Sequence, residues 1–234
     1  MKKLLATLAA CVGLAAPFAA SAADNVVLVE LFTSQGCSSC PPADANLAEL
    51  ADRDDVLALS MHVDYWDYLG WKDTFGSPAN TKRQYAYRDH MGARVVYTPQ
   101  MIIQGRHDVP GYRPDLIEGA IQSVAAASKP AGLAIEEADG RLTARLSMTN
   151  VRGTCTVWIA SYRQKAEVDI ANGENRGRKI TYHNIVEKLM RAGTWTSSGP
   201  EVIDLPLPGA GEGIAVWIQN DKTGEILAVS FVEN

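Results

Sequence analysis

The sequence holds few residues of the kinds that build metal centres or nucleic-acid surfaces. It has four cysteines and four histidines among 234 residues, and the histidines are scattered rather than set at the short spacing of metal ligands. With 22 basic and 27 acidic residues the net charge is -5, so nothing favours binding to nucleic acid or to an anionic membrane. Glycine-rich phosphate loops, nucleophilic serine triads and paired glycosidase acids are not evident.

Long apolar runs are also scarce. After the first 23 residues, no run approaches the ~20 apolar residues that a membrane helix needs. Within them, Lys2 and Lys3 precede an apolar stretch from Leu4 to Ala20, and small residues follow up to Asp24. This order is typical of a cleaved secretory signal. We predict a signal peptide at residues 1–23, a periplasmic or secreted location, and no stable membrane insertion after cleavage.

An exported location changes how the cysteines are interpreted. Cys11 lies inside the predicted signal peptide, too early and too deep in the apolar stretch for a lipidation site, so Cys37, Cys40 and Cys155 remain. Outside the cytosol disulfides persist, and a close cysteine pair is more often redox-active or oxidised than zinc-bound. Cys155 lies on the apolar side of a predicted strand, where a free cysteine behaves as a small buried hydrophobe.

The stretch from Val26 to Pro42 carries the strongest chemical signal. An apolar run predicts a buried strand, a polar turn holds Cys37 and Cys40, and a helix with apolar residues at helical spacing follows. The unsatisfied N–H groups of a helix start favour a thiolate. A thiolate at Cys37 can attack a disulfide, and Cys40 can then resolve the mixed intermediate.

Two further features accompany the cysteine pair. Glu30 lies inside the apolar strand, where a charge needs a partner; it is either a proton relay to the thiols or a carboxylate that reaches solvent or a local partner from the strand end. Thr98-Pro99 leads directly into the apolar segment Met101–Ile103. Proline fits the first residue of a strand, and an X-Pro bond is the kind that can be cis. The aromatic segment 65–71 is either a wall facing substrate or a packed crossover.

The rest of the chain divides in two by its pattern. Residues 24–128 alternate buried strands with helices, the last two helices running from about Ser77 to His90 and from Pro114 to Ala127. After a linker at 128–132, residues 129–234 show short alternating strands separated by turn residues, which predict a small antiparallel β-sandwich. Segment 180–195 fits helix or strand by pattern, with strand preferred. The basic side chains of loop 173–179 either contact a partner or, as preferred, are solvated.

Three blocks, Glu30–Pro42, His62–Asp73 and Tyr97–Gly105, closely resemble secreted bacterial proteins of the domain of unknown function 1223 family, and the resemblance continues through residues 173–175 and 182–186. It implies an α/β thioredoxin-like domain at residues 24–128, followed by the β-sandwich domain. Carried onto this sequence, the resemblance implies that Cys37 attacks, Cys40 resolves and Pro99 is the cis-proline. Thr98 would then offer its backbone to an incoming chain.

Three classes of function remain open. The first is a thiol–disulfide oxidoreductase acting on protein or small-molecule disulfides with a separate redox partner and no cofactor. The second is a copper-binding protein that combines the thiolates with His62, His90 or His107, because soft thiolates select copper(I). The third is a binding module in which the Cys37–Cys40 disulfide is structural. The reduction potential of the pair separates the first class from the third.

Overall fold

The computed structural model is a mixed α/β protein with one large and one small sheet. It describes residues 19–21, 26–127, 131–148, 153–196 and 201–234. The rest of the predicted signal peptide, Cys11 included, and residues 128–130 of the predicted linker lie outside these ranges. Among the described residues, no helix has both the length and the apolar character needed to cross a membrane.

Twelve strands, three α-helices and one 3-10 turn make up the described part of the chain. In chain order they are β1 (Ala19–Ser21), β2 (Val27–Thr33), α1 (Pro41–Ala51), β3 (Val56–His62), the 3-10 turn Asp67–Leu69, α2 (Pro78–Met91), β4 (Gln100–Ile103), β5 (His107–Pro110), α3 (Pro114–Ala125), β6 (Ala131–Ala138), β7 (Arg141–Met148), β8 (Cys155–Asp169), β9 (Lys179–Trp195), β10 (Glu201–Leu205), β11 (Glu212–Asn220) and β12 (Ile226–Glu233).

The large sheet has nine strands in the order β1-β12-β11-β8-β9-β3-β2-β4-β5. Strands β2 and β3 are parallel, β2 and β4 are antiparallel, and β4 and β5 form an antiparallel pair at the edge. The two halves of the chain join where Ser60 of β3 pairs with Ile185 of β9 in parallel. The sheet therefore continues across the boundary predicted between residues 128 and 129.

The two faces of the large sheet are covered by different helices. Because side chains alternate along a strand, the odd-numbered residues of β2 face α1 and α3, and the even-numbered ones face α2. On the first face, Leu31 packs with Leu47 of α1 and Ile121 of α3. On the second, Phe32 packs with Tyr87 of α2 and with core residues of β8 and β11. Both halves of the chain thus share this second core.

The small sheet, in the order β10-β7-β6, covers the far end of the large one. Alternate residues of β7, including Leu142, Ala144 and Leu146, pack against β8, β11 and β12. Cys155 is free and fully buried in this core, which confirms the prediction of a buried hydrophobe. Burial raises the pKa of its thiol.

Most predicted elements are found, and two strands of the second half are informative. Segment 180–195 is strand β9, as preferred, and it pairs with β8 along almost its whole length. Strand β8 runs from Cys155 to Asp169, which is longer than the short strands predicted for this half of the chain. Beyond Tyr162, β8 alternates exposed and half-buried side chains, which is the period of a strand with one face partly covered, and the two strands form a long hairpin. This length carries the hairpin tip towards the cysteine pair.

Candidate active site

Cys37 and Cys40 form a disulfide at the start of α1. Cys40 is the N-cap of the helix, and Pro41 and Pro42 occupy its first turn. Both prolines are accommodated because the first N–H groups of a helix have no intrahelical partner. The positive end of the α1 dipole therefore points at the sulfurs, an arrangement that stabilises a thiolate after reduction.

The segment Thr98-Pro99 lies directly beside the disulfide. The hydroxyl of Thr98 donates a hydrogen bond to Sγ of Cys37 over 3.3 Å, and the peptide bond between Thr98 and Pro99 is cis. Pro99 is buried, and β4 begins at the next residue. Four of the predicted site residues, Cys37, Cys40, Thr98 and Pro99, thus come together in space.

The loop before Cys37 is fixed by a buried acid. Asp73 accepts a hydrogen bond from the backbone N–H of Gln35 over 2.7 Å, and the same carboxylate oxygen lies 2.8 Å from Nδ1 of His62. The side chains of His62 and Asp73 are both fully buried. Burial by itself would raise the pKa of Asp73, but the charge and hydrogen bond of His62 outweigh it, and the pKa is lowered.

The tip of the β8–β9 hairpin, residues 170–178, covers the disulfide from the second half of the chain. The side-chain amide of Asn175 donates to the backbone carbonyls of Gln35 and Cys37 over 3.0 and 2.8 Å. The carboxylate of Glu174 accepts from the N–H of Ser38 over 3.2 Å. Cys37 and Cys40 are both 0% exposed. A reagent must therefore displace part of this cover to reach Sγ of Cys37.

The aromatic segment contacts both sides of the cysteine loop. The indole N–H of Trp66 donates to the hydroxyl of Thr98 over 2.8 Å, and that of Trp71 donates to the side-chain carbonyl of Gln35 over 2.8 Å. Tyr68, between them, is 79% exposed. The segment therefore packs as a crossover and also presents the ring of Tyr68 to solvent. It has features of both predicted alternatives, the packed crossover and the exposed aromatic wall.

Glu30 is the predicted site residue that does not join the others. It lies on the face of β2 covered by α2, where it forms an ion pair with Arg83 and accepts a hydrogen bond from Tyr87. The helix that carries Cys40 packs on the opposite face. The structure gives Glu30 the local partner that the sequence left open as the alternative to a proton relay.

A different acid is buried on the face of α1. Asp44, in the first turn of the helix, accepts a hydrogen bond from the hydroxyl of Thr33 over 2.8 Å. Burial raises the pKa of its carboxyl group to about 7, against smaller lowering contributions from His62 and Thr33. The sequence did not reveal this residue, because an acid near a helix start is ordinarily a solvated group that complements the dipole.

The histidines of the copper hypothesis are placed apart from one another. His62 is bound to Asp73, whereas the ring nitrogens of His90 lie 2.7 and 3.0 Å from the carbonyls of Ala86 and Asp221. His107 begins edge strand β5. Within the described ranges, no group of three or more His, Cys, Asp or Glu side chains is placed to hold a metal ion.

A cavity of about 470 Å³ lies on the α2 face, away from the disulfide. Apolar atoms of Tyr87, Trp158 and Leu189 line it, together with the cations Lys82 and Arg191. Arg83 in its wall is already engaged with Glu30 and with Gln219. Its size is in the range of small-ligand pockets, but it shares no lining residue with the cysteine loop.

The fold and the site together define a class: a mixed α/β protein with a disulfide at a helix N-terminus, beside a cis-proline segment. Residues 28–219 match the family described as protein of unknown function (DUF1223), and the chain belongs to that family.

A solved structure shares the fold. The crystal structure of protein AGR_C_4864 from Agrobacterium tumefaciens is similar at 32% identity with a TM-score of 0.75, over 88% of this chain and 93% of that chain. No curated protein matches the chain.

Proposed function

We propose that this protein is an exported thiol–disulfide oxidoreductase whose first half has a thioredoxin-like arrangement. One observation carries the proposal: the Cys37–Cys40 disulfide lies at the N-terminus of α1 with the hydroxyl of Thr98 3.3 Å from Sγ of Cys37. A helix N-terminus stabilises the thiolate that opening of the bond creates. A disulfide with only a structural role gains nothing from such a position.

In this proposal Cys37 attacks and Cys40 resolves. The thiolate of Cys37 displaces one sulfur of a protein or small-molecule disulfide, and Cys40 then closes the ring and releases the second sulfur. Thr98 and Pro99 form the wall against which the incoming chain lies. A separate thiol or disulfide partner restores the starting state. We further propose cleavage before Asp24 and action in the periplasm or outside the cell, which the mass of the mature chain tests.

Activity is tested by mixing the reduced protein with glutathione disulfide and following release of glutathione. We expect one round of reaction that releases two glutathiones per wild-type protein, loss of this release in Cys37→Ser, and retained release in Cys155→Ser, because Cys155 lies in a separate core. Equal rates for the wild type and Cys37→Ser would overturn the proposal.

The reduction potential of the pair tests the remaining alternative. Structural disulfides of secreted proteins have potentials below about -300 mV, whereas catalytic ones are easier to reduce. We expect equilibration with glutathione or dithiothreitol buffers to give a value above that boundary. A value well below it would assign Cys37–Cys40 a structural role and favour the binding-module hypothesis.

A further inference from the structure

The cavity of about 470 Å³ on the α2 face exists because the helix presents small residues there. Several of its lining residues recur every three or four positions, which is the spacing of one helix face: Ala79, Lys82, Ala86 and His90. Ala79 and Ala86 are exposed. Their methyl groups leave a space beside the sheet that larger side chains would fill.

The sheet side of the cavity comes from the second half of the chain. Trp158 of β8 and Arg191 of β9 are cross-strand partners, and Leu189 lies on the same face as Arg191 because the two are two residues apart. Trp158 and Leu189 are only partly buried, although both pack against the main core. Part of their apolar surface therefore lines the cavity. A site between two parts of a chain is a common place for a small ligand.

The polar groups in the cavity wall next to the core are already paired. Arg83 forms the ion pair with Glu30 and donates to the side-chain carbonyl of Gln219 over 3.1 Å. The hydroxyl of Tyr87 also donates to Glu30. The side-chain amide of Gln219 donates to the carbonyl of Gly224 over 2.7 Å. A ligand on this side therefore meets apolar atoms and leaves no buried polar group without its partner.

Two cations at the open rim of the cavity carry unbalanced charge. Lys82 and Arg191 are exposed, and neither forms an ion pair with a carboxylate of the described residues. The guanidinium of Arg191 is held in place, because it donates to the hydroxyl of Thr156 over 3.3 Å and to that of Thr194 over 2.6 Å. One lining acid, Asp221, opposes the two cations. The rim is thus positive in a protein whose net charge is -5.

We propose that this cavity binds a small organic carboxylate with an apolar body. The body packs against Tyr87, Trp158 and Leu189, and its burial supplies most of the binding free energy. The carboxylate pairs with Lys82 and Arg191, since the planar fork of a guanidinium matches the two oxygens of a carboxylate. Binding here is independent of the proposed thiol–disulfide chemistry, because no lining residue belongs to the cysteine loop.

The test titrates oxidised, ¹⁵N-labelled protein with 4-phenylbutanoate and follows the indole N–H resonances of the five tryptophans by NMR. We expect the resonance of Trp158, assigned by its loss in Trp158→Phe, to shift saturably with one site per chain. The indoles of Trp66 and Trp71 donate to segments beside the disulfide, and their resonances should stay in place. A Trp158 resonance that does not shift, or equal shifts at Trp66 and Trp71, would overturn the proposal.

Matched probes separate recognition of the carboxylate from apolar binding. The uncharged 4-phenylbutanamide keeps the ring and the chain, and we expect it to bind about tenfold more weakly because it loses both ion pairs. Inorganic phosphate, which has no apolar body, should leave the Trp158 resonance in place. Equal affinities for the two organic probes would refute recognition of the carboxylate. A response to phosphate alone would show a site for inorganic anions instead.

Charge variants at the rim provide a second comparison. Lys82→Gln and Arg191→Gln should each weaken binding of 4-phenylbutanoate about threefold, the order of a partly exposed ion pair, and leave binding of 4-phenylbutanamide unchanged. Asp221→Asn should strengthen binding of 4-phenylbutanoate, because it removes the opposing charge. Lys72→Gln, at an exposed lysine outside the cavity, is the matched control. Rim variants that behave like Lys72→Gln would contradict the proposal.

Filling the cavity tests the location without changing the charge. Ala86→Trp places an indole in the space that the alanine leaves and should abolish binding of both organic probes. Ala45→Trp makes the same substitution at an exposed alanine of α1 and should bind as the wild type does. Undiminished binding to Ala86→Trp would refute the site. If Ala86→Trp fails to fold, the matched probes and the rim variants decide.

Discussion

Asp44 illustrates how one buried residue links stability to pH. Its folded-state pKa of about 7 lies above the ordinary value of 3.8, so between these values the folded protein holds a proton that the unfolded chain has lost. The free energy of unfolding therefore falls as pH rises through this window. The contribution is fully present below the lower value and is gone above the higher one.

Replacing Asp44 by Asn should remove this pH dependence. We expect the stability of Asp44→Asn relative to the wild type to rise by up to about 3 kcal/mol between pH 5 and pH 8. Urea unfolding of the oxidised proteins at the two pH values measures the change. The exposed Asp115, whose pKa is lowered by Arg113, provides the matched control in Asp115→Asn. A constant difference between Asp44→Asn and the wild type would contradict the assignment.

The ion pair of Glu30 with Arg83 gives a second prediction at the residue scale. Both side chains are almost fully buried, and Arg83 also contacts the rings of Tyr87, Trp158 and Trp217. Removing one partner strands a buried charge, so Arg83→Met should cost about 3–5 kcal/mol of stability.

Two comparisons complete this prediction. The Glu30→Gln/Arg83→Met variant should recover part of the loss, because no charge is then left unpaired. Arg88→Met breaks a partly exposed pair with Asp89 on the same helix and should cost at most about 1 kcal/mol. Urea unfolding supplies all of these values. Equal losses for Arg83→Met and Arg88→Met would contradict the buried ion pair.

At the scale of elements, the tip of the β8–β9 hairpin covers the disulfide. Asn175 holds the tip of the hairpin on the cysteine loop by two hydrogen bonds. Gly173 in the same tip has a φ of 75°, and a Cβ there would lie 3.1 Å from Cβ of Trp71. The tip therefore fits closely against the aromatic segment, in a backbone conformation that glycine adopts readily.

Loosening this tip should expose the disulfide. We expect Asn175→Ala to speed reduction of Cys37–Cys40 by dithiothreitol about fivefold, the effect of losing a hydrogen bond worth about 1 kcal/mol. Asn172→Ala, a substitution at an exposed asparagine of the same loop, should leave the rate unchanged. Quenched alkylation and mass spectrometry follow the reaction. Unchanged rates in both variants would show that the cover does not limit access.

The elements also show what local pattern can and cannot predict. The local apolar pattern was sufficient for β2, β3 and α3, because continuous apolar runs predict strands buried on both faces and helical spacing predicts the buried face of α3. The pattern at Thr98-Pro99 predicted the start of a strand, and β4 begins one residue later. The reach of the hairpin tip was beyond such reasoning, because Asn175 and Cys37 are 138 residues apart. The burial of Asp44 likewise depends on strands that fold over it from elsewhere.

In the molecule as a whole, the two predicted halves are joined by hydrogen bonds, by a common core and by a close approach of their backbones. The side-chain amide of Gln104 accepts from the N–H of Leu28 and donates to the carbonyl of Ile226, so it bridges β2 and β12. Trp217 and Tyr162 from the second half lie in the same core as Phe32. Gly105 approaches the carbonyl of Gly224 so closely that a Cβ would lie 2.1 Å from that oxygen. Contacts of this kind connect the two halves along β2, β4 and the shared core.

A chain that ends at residue 128 should therefore not fold on its own. It would expose the edge of β3 that pairs with β9 and the apolar face that Trp217 covers, and an open apolar strand edge favours aggregation. We expect residues 24–128 to lack a cooperative urea transition and dispersed amide resonances, whereas the full chain unfolds in one step by circular dichroism and tryptophan fluorescence. A folded, soluble 24–128 fragment would show instead that the boundary predicted from the sequence separates independent domains, joined only afterwards by the shared sheet.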